Sequence, residues 1–219
     1  AVHVTPPPPP PAQRARRGLG VRATGPQALL QDAGRPGHAH LGVSESGAAD
    51  AAAAARANAL VGNAPEAVLI EALLGGLALE AIGDQVLAVT GADPTLFAAG
   101  THPTGEYNPP VERPFVLPDG HVLVLGEPAT GLRSYVAVRG GIEAPRTLGS
   151  AATDLLSGEG PPPLRPGDAL AVGDRAAGAL GSAPAASGPP GDVTLNLRLG
   201  PRDDWFTPDA VAALFAQRW

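Results

Sequence analysis

The 219-residue sequence contains no cysteine, no lysine and no methionine, and aromatic residues make up only 4% of it. Without cysteine the chain can form no disulfide bond, no thiolate-ligated zinc site and no cysteine nucleophile. Without lysine it can form no Schiff base and can carry no biotin or lipoyl group. Any tethered cofactor must therefore come from a partner.

Long hydrophobic runs and an excess of positive charge are also missing. No segment approaches the ~18 consecutive apolar residues of a membrane-spanning helix, and the chain does not open with a signal peptide. The formal net charge is -6, which disfavours binding to a phosphate backbone. These features predict a cytoplasmic protein that binds neither membranes nor nucleic acids.

The composition favours many short strands over long helices. The chain has 29 glycines and 26 prolines, and 44% of its residues are hydrophobic. Alternation of apolar and polar residues predicts strands near 19–23 and at 68–73, 77–82, 86–90, 115–126 (two strands joined at a Pro-Asp-Gly turn), 134–140, 168–173 and 193–200. An alanine-rich helix is predicted at 48–61. We therefore expect a mainly β fold, a compact barrel or sandwich.

Shifts in composition divide the chain. A run of six prolines, Pro6–Pro11, predicts an extended spacer, and Thr207 and Pro208 are typical of a helix start. The predicted divisions are a Pro/Arg-rich linker (1–18), a β domain (19–175), a low-complexity loop (176–191) and the start of a second subdomain (192–219).

The stretch "QDAGRPG" (31–37) is the first candidate site. Its glycines permit positive φ angles, and Asp32 and Arg35 are close enough in sequence to pair. A salt-bridged turn is the simpler interpretation, and the rim of a site is the other. Nearby His38 and His40 lack a third ligand at matching spacing, so no metal site is predicted.

The helix start "SGAAD" (46–50) is the second candidate. Its free backbone N–H groups can hold an anion, with Asp50 in the first turn. Helical geometry places Asp50 and Asn58 within about 80° of each other, so both could face one cleft. Asn58 has low helix propensity, which indicates a specific hydrogen-bonding task.

Two further segments carry polar groups at strand ends. In "VTGAD" (89–93), Thr90, Gly91 and Asp93 follow an apolar strand, a position equally typical of sites and of structural turns. In "SYVAVRGG" (134–141), alternation places Arg139 on the same face as Tyr135 and Ala137. A buried guanidinium needs an anionic partner, from either the protein or a substrate.

Seven segments in one order resemble a known family. They are "QDAGRPGHAHLGVSESGAAD", "ANALVGN", "VTGAD", "GLRSYVAVRGG", "LGSAATDLL", "LRPGDAL" and "RLGPRDDWF", and they run from about residue 19 to 219. Together they resemble the family of the 5-oxoprolinase C subunit, also called the allophanate hydrolase subunit 2 family or the biotin-dependent carboxyltransferase A/B domain. The resemblance implies a cyclophilin-like β-barrel with a few short helices. Since family chains continue well past "DDWF", it also implies that the second half is incomplete here.

The resemblance implies a shared activity. Family members act with a B subunit, to which they are sometimes fused, and with an A subunit in the ATP-dependent opening of 5-oxoproline to L-glutamate. ATP is then a cofactor of the complex. One alternative is the carboxyltransferase part of a urea carboxylase/allophanate hydrolase system, with biotin carried by a partner. Another is a non-enzymatic antagonist that binds an inhibitor of a kinase.

The family motifs also select candidate site residues in this sequence. The candidate catalytic residues are Asp32, Arg35, Asp50 and Arg139. The candidate substrate-binding residues are Gln31, Asn58, Thr90, Gly91, Asp93, Gly140, Gly141, Ser150 and Thr153. Arg139 is expected to hold a small anion in a polar hollow shared with Asp32, Asp50 and Asp93, which are the candidates for proton transfer.

One departure from the family pattern limits these assignments. Where the family has a second glycine-rich stretch containing arginine, this chain has "GEGPPPLRPGD" (158–168). A site role is therefore not predicted for residues 157–163.

Overall fold

The structure is a computed structural model that describes residues 17–100, 105–174, 176–182 and 194–218. The chain divides into two compact units, residues 1–186 and 187–219. Most of the predicted linker and most of the predicted low-complexity loop lie outside the described residues.

The described residues of the first unit form ten strands and one α-helix. The strands are β1 (Gly18–Thr24), β2 (Gln27–Gln31), β3 (Leu69–Leu73), β4 (Leu77–Ile82), β5 (Gln85–Gly91), β6 (Pro94–Ala99), β7 (Phe115–Leu117), β8 (Val122–Pro128), β9 (Arg133–Val138) and β10 (Ala169–Ala171). The helix α1 spans Ala51–Leu60, and a short 3-10 helix covers Ala39–Leu41.

The strands form two antiparallel sheets of five strands each. The first sheet has the order β10-β1-β4-β8-β6 and the second the order β2-β3-β9-β5-β7. Their facing side chains make one apolar core, for example Leu19 and Leu79 of the first sheet against Ile70 and Val136 of the second. This packing confirms the prediction of a mainly β fold.

Helix α1 covers the outer face of the second sheet. Its buried alanines pack against Leu69, Ala88 and Ala137, which alternate with core residues along their strands. Asp50 caps the helix, since its side chain accepts a hydrogen bond from the Ala53 amide at 2.9 Å. Small alanine side chains let the helix lie close to the sheet, so groups at its two ends reach strand residues.

The described part of the second unit contains a 3-10 helix, Asp203–Trp205, and helix α2, Pro208–Ala216. Thr207 caps α2 by accepting a hydrogen bond from the Ala210 amide at 3.3 Å, with Pro208 in the first turn. Both features of this helix start were predicted and are confirmed.

The strand prediction was right for most of the first unit and wrong elsewhere. Residues 194–200 form no strand, although "VTLNLRLG" alternates well. Strands β2 and β6 were not predicted, because β2 begins directly after a Gly-Pro turn and β6 begins at a proline. Pairing to β3 and β8 overrides these weak local signals. In the described residues no helix is long and apolar enough to cross a membrane.

Candidate functional site

Polar side chains occupy the outer face of the second sheet beside the first turn of α1. Glu71 of β3 and Thr90 of β5 both lie opposite Tyr135 of β9 in the strand register. Because directly paired residues of antiparallel strands point to the same face, these three side chains form one row beneath the helix. Thr90 ties the sheet to the helix by donating to the Ala53 carbonyl at 2.7 Å.

Glu71 is a buried carboxylate that accepts two hydrogen bonds. Its Oε2 accepts from the Ala49 amide at 2.8 Å, and its Oε1 from Arg133 Nη1 at 2.7 Å. Tyr135 is its direct neighbour across the strands, so the charge of Glu71 acts on the tyrosine hydroxyl. A buried carboxylate is tolerated because these partners replace the water that it loses.

Tyr135 is fully buried, and its hydroxyl accepts a hydrogen bond from the Asp50 amide at 2.7 Å. Burial raises the pKa of Tyr135 far above that of a free tyrosine, and the negative charge of Glu71 raises it further. The hydroxyl therefore stays protonated at any physiological pH. It accepts a hydrogen bond from the chain just before α1.

These groups border an open pocket of about 360 Å³, which we call the α1 pocket. It is lined by residues 49–50 before the helix, 91–92 after β5, 131–133 at the start of β9, and Tyr135. Gly91 is required here, because its φ is +92° and a Cβ atom at this position would lie 2.5 Å from the Arg133 carbonyl oxygen.

The α1 pocket combines groups of opposite character. Arg133 supplies a half-buried cation, whose Nη1 donates to Glu71. Asp50 supplies an exposed carboxylate, and the first N–H groups of α1 have no partner within the helix. Such a pocket suits a small molecule that has both a hydrogen-bond acceptor, such as a carboxylate or carbonyl, and an N–H donor.

Asp32 lies in a different environment, which we call the loop cluster: Asp32, Arg35, Ser46, Arg146, Ser150 and Asp154. Oδ1 of Asp32 accepts from the Gly34 amide at 2.8 Å and from the Ser150 hydroxyl at 2.5 Å. Oδ2 accepts from the Ala151 amide at 2.8 Å and from Arg146 Nη1 at 3.2 Å. Asp32 thus pairs with Arg146, and the predicted Asp32–Arg35 pair is wrong.

Arg35 is 1% exposed and donates to neutral oxygens instead of to Asp32. Its guanidinium donates to the Ala152 carbonyl at 2.5 Å, the Ser46 hydroxyl at 3.0 Å and the Thr147 carbonyl at 3.4 Å. Among the residues that the structure describes, Arg35 forms no ion pair. It joins the loop after β2 to the loop at 147–152, which is a structural role.

Asp154 completes the loop cluster at its exposed side. It accepts from the Ser46 hydroxyl at 3.1 Å and from the Ser44 hydroxyl, and from the Leu156 amide at 2.9 Å. These hydrogen bonds, with that of Ser44 the strongest, hold the pKa of Asp154 well below its usual range. The two loops are thus tied together by a permanently charged carboxylate.

The far end of α1 holds a third group of polar residues. Asn58 Nδ2 donates to the Ala67 carbonyl at 2.8 Å, and its Oδ1 accepts from Asn63 Nδ2 at 3.2 Å. Asn63 in turn donates to the Val138 carbonyl at 2.7 Å and accepts from the Gly140 amide at 2.8 Å. The hydrogen-bonding task predicted for Asn58 is therefore to anchor the helix end to β9.

Arg139 belongs to this far end. It is half-buried on the helix-facing side of the sheet, as alternation predicted. Its Nη1 donates to the Val61 carbonyl at 2.8 Å, at the end of α1 where the negative end of the helix dipole favours a cation. Gly140 has a φ of +101°, and a Cβ atom there would collide with the Gly173 carbonyl oxygen. Close packing of two backbone segments explains this glycine.

The expected hollow shared by Arg139, Asp50 and Asp93 is not formed. Asp50 contacts Tyr135, four residues before Arg139 in the same extended segment, a separation of about 13 Å. The Asp93 amide bonds to the Thr130 carbonyl before β9 begins, farther still from Arg139. The ten-residue helix separates Asp50 from the Val61 carbonyl by about 15 Å.

The candidate residues thus fall into separate places. Asp50 and Gly91 line the α1 pocket, and Thr90 lies behind it. Three candidates belong to the loop cluster: Asp32, Arg35 and Ser150. The far end of α1 holds Asn58, Arg139, Gly140 and Gly141, while Asp93 lies in an exposed turn. Gln31 and Thr153 adjoin the loop cluster, where Gln31 Nε2 donates to the Thr153 carbonyl at 3.0 Å. Their roles in substrate binding stay predictions.

Sequence reasoning missed two residues of the α1 pocket region, Glu71 and Arg133. A signal for Glu71 existed, since "VLIEALL" places one carboxylate inside an otherwise apolar strand. Arg133 alternates with Tyr135 and Arg139 on one face, but its partner could be found only from the strand pairing.

Neither histidine of the "GHAH" stretch lies on a strand. His38 precedes the short 3-10 helix and His40 lies within it. Within 17–100, 105–174, 176–182 and 194–218, no three or more histidine, aspartate or glutamate side chains are placed to hold a metal ion together.

Comparison with known proteins identifies the fold and the family. The chain is 36% identical over 158 residues to the 5-oxoprolinase C subunit of Escherichia coli K12, an alignment that covers 71% of this chain and 49% of that protein. It is 30% identical over 220 residues to urea amidolyase of Lachancea kluyveri, covering 91% of this chain and 12% of that protein. The crystal structure of TTHA0988 superposes with a TM-score of 0.69 at 34% identity, covering 78% of this chain and 63% of that one.

The family model extends the match to the end of the chain. This chain spans about half the length of the E. coli relative, so the activity of the whole relative does not transfer by itself. The model described as "Carboxyltransferase domain, subdomain A and B" matches residues 41–219, which include α1, most strands of both sheets and the second unit. The chain belongs to this carboxyltransferase domain family.

Proposed function

We propose that the chain is one component of an ATP-dependent 5-oxoprolinase, which opens 5-oxoproline to L-glutamate together with the A and B subunits. The observation that carries the proposal is the α1 pocket, in which a cation and a carboxylate line one small space. 5-Oxoproline is a small cyclic amide with a carboxylate, a carbonyl oxygen and an N–H group. Its carboxylate matches the cation of the pocket, and its N–H group matches the carboxylate of the pocket.

The groups of the pocket define how the substrate would be held. Arg133 keeps donors that do not contact Glu71, and these bind the carboxylate of the substrate. Asp50 accepts the amide N–H, and its carboxylate can move a proton as the ring opens. Tyr135 forms the floor and keeps water from the buried side of the pocket.

Partners are needed for the rest of the reaction. The described residues of the α1 pocket include no phosphate-binding glycine-rich loop with lysine, so ATP is assigned to a partner protein. ATP would supply the free energy for opening the amide. Two relatives named as the C subunit of 5-oxoprolinase support membership of a multi-subunit enzyme.

The second candidate is transfer of a carboxyl group from biotin to urea. It is favoured by the match to urea amidolyase, which covers 91% of this chain. Urea has N–H donors and a carbonyl acceptor, which also fit Asp50 and Arg133. Biotin would have to be attached to a partner, because this sequence has no lysine.

Reconstitution distinguishes these functions. The full chain is mixed with the A and B subunits of a 5-oxoprolinase, and glutamate formation is measured with 5-oxoproline and ATP, with each component omitted in turn. We expect turnover only with all three. Turnover by the chain alone would refute the proposal that the enzyme is shared among subunits. Carboxylation of urea with a biotinylated partner would favour the second candidate. Binding of a kinase inhibitor without turnover would favour the non-enzymatic antagonist.

Matched arginine variants test the place of the substrate. Arg133→Lys keeps the charge but loses the planar fork, so we expect KM for 5-oxoproline to rise about tenfold. Arg139→Lys is the control, since Arg139 lies at the far end of α1. A rise in KM for Arg139→Lys, with no change for Arg133→Lys, would place the substrate elsewhere.

A further inference from the structure

We infer that Glu71 is the positioning residue of the α1 pocket: it fixes the Arg133 guanidinium and the chain before α1 through one buried carboxylate. The inference rests on the proposed function, because it assigns a role in substrate binding to a residue that does not itself line the pocket. Two contacts and one comparison of side chains support it.

The two donors on Glu71 come from two different walls of the pocket. The Ala49 amide belongs to the segment before α1 and Arg133 begins β9, while Tyr135, opposite Glu71 in the strand register, forms the floor. Ala49, Arg133 and Tyr135 all line the α1 pocket. One carboxylate therefore sets the distance between the walls on which the substrate would bind.

Packing alone does not require an acid at this position. Glu71 is 3% exposed, and the neighbouring helix-facing residues Leu69, Ala88 and Ala137 are apolar. A buried carboxylate with an arginine partner is often no more stabilising than an apolar pair of similar volume. The acid is therefore explained by the orientation that it imposes on the pocket.

The orientation also determines which groups can reach a ligand. Tyr135 is fully buried and its hydroxyl accepts from the Asp50 amide, so it is occupied by an internal partner. Arg133 uses Nη1 for Glu71, which leaves its other nitrogens as donors toward the pocket. Glu71 thus selects Arg133 as the group that binds the acceptor end of the substrate.

Glu71→Gln is the direct test. Glutamine offers one acceptor oxygen and one NH₂ group in place of two acceptor oxygens, so it cannot hold both donors as glutamate does and at least one wall is released. In the reconstituted enzyme we expect KM to rise about tenfold or more, with a smaller change in kcat. Glu80→Gln, which removes a carboxylate from the surface pair with Arg22, is the matched control and should leave KM unchanged.

A second readout does not depend on activity. Hydrogen exchange followed by NMR reports on the Ala49 amide and the Arg133 guanidinium, which are the two donors to Glu71. Because glutamine has one acceptor oxygen, Glu71→Gln should speed exchange at one of these groups or at both. Glu80→Gln should change neither. If Glu71→Gln does not fold, Glu71→Asp, which keeps the charge but shortens the side chain, is used with the same measurements.

The outcomes separate this inference from the proposed function. If the wild type turns over 5-oxoproline normally and Glu71→Gln has an unchanged KM, the inference is overturned and the proposed function stands. The same holds if Glu71→Gln lowers the melting temperature without changing KM. Absence of wild-type turnover refutes the proposed function, and hydrogen exchange then decides whether Glu71 holds its two donors in place. Unchanged exchange at both donors overturns the inference in either case.

Discussion

Asp32 and Glu71 are two buried carboxylates with nearly the same partners and different surroundings. Each accepts hydrogen bonds from an arginine and a backbone amide. The partners of Asp32 hold loops to each other, whereas those of Glu71 line the α1 pocket. The chemistry of a buried acid therefore does not reveal its role, which depends on what its partners face.

A substitution in the loop cluster should cause the largest loss of stability. Arg35→Met removes the guanidinium and leaves the Ala152 and Thr147 carbonyls without a donor, so we expect the free energy of unfolding to fall by about 3 kcal/mol in urea denaturation. KM of the folded fraction should not change. Arg22→Met, at an exposed ion pair, is the control and should cost under about 1 kcal/mol. Equal losses for both variants would contradict a structural role for Arg35.

A substitution in the α1 pocket should instead lower activity while stability stays nearly constant. Asn is as good a helix cap as Asp, so Asp50→Asn should unfold within about 0.5 kcal/mol of wild type, whereas Asp50→Ala should cost about 1 kcal/mol. If the Asp50 carboxylate moves a proton, kcat should fall about a hundredfold in both variants. Full activity of Asp50→Asn would leave Asp50 as a cap only.

The smallest effect is expected at the exposed side of the loop cluster. The pKa of Asp154 is lower in the folded protein than in the unfolded chain, so its contribution is complete above about pH 4 and disappears as the pH falls below that value. Asp154→Asn should therefore flatten the acid limb of the stability curve. Melting temperatures between pH 2 and 7 test this, and an unchanged acid limb would contradict it.

The sequence predicted the α1 helix, its cap region and most strands because those features depend on local patterns. Asp50 and Gly91 were found for the same reason, since a cap and a strand-exit glycine have local signals. The loop cluster was found only in part, because Asp32 and Arg35 are near in sequence but take partners more than 100 residues away.

By itself the sequence determined the mainly β class, the family and the absence of cysteine and lysine chemistry. These follow from composition, alternation and ordered motifs, which are properties of the chain. Only the tertiary structure decided which polar groups meet, because the register of β3, β5 and β9 brings Glu71, Tyr135 and Thr90 into one row. The same register, with the length of α1, separates Arg139 from the acids with which it was expected to act.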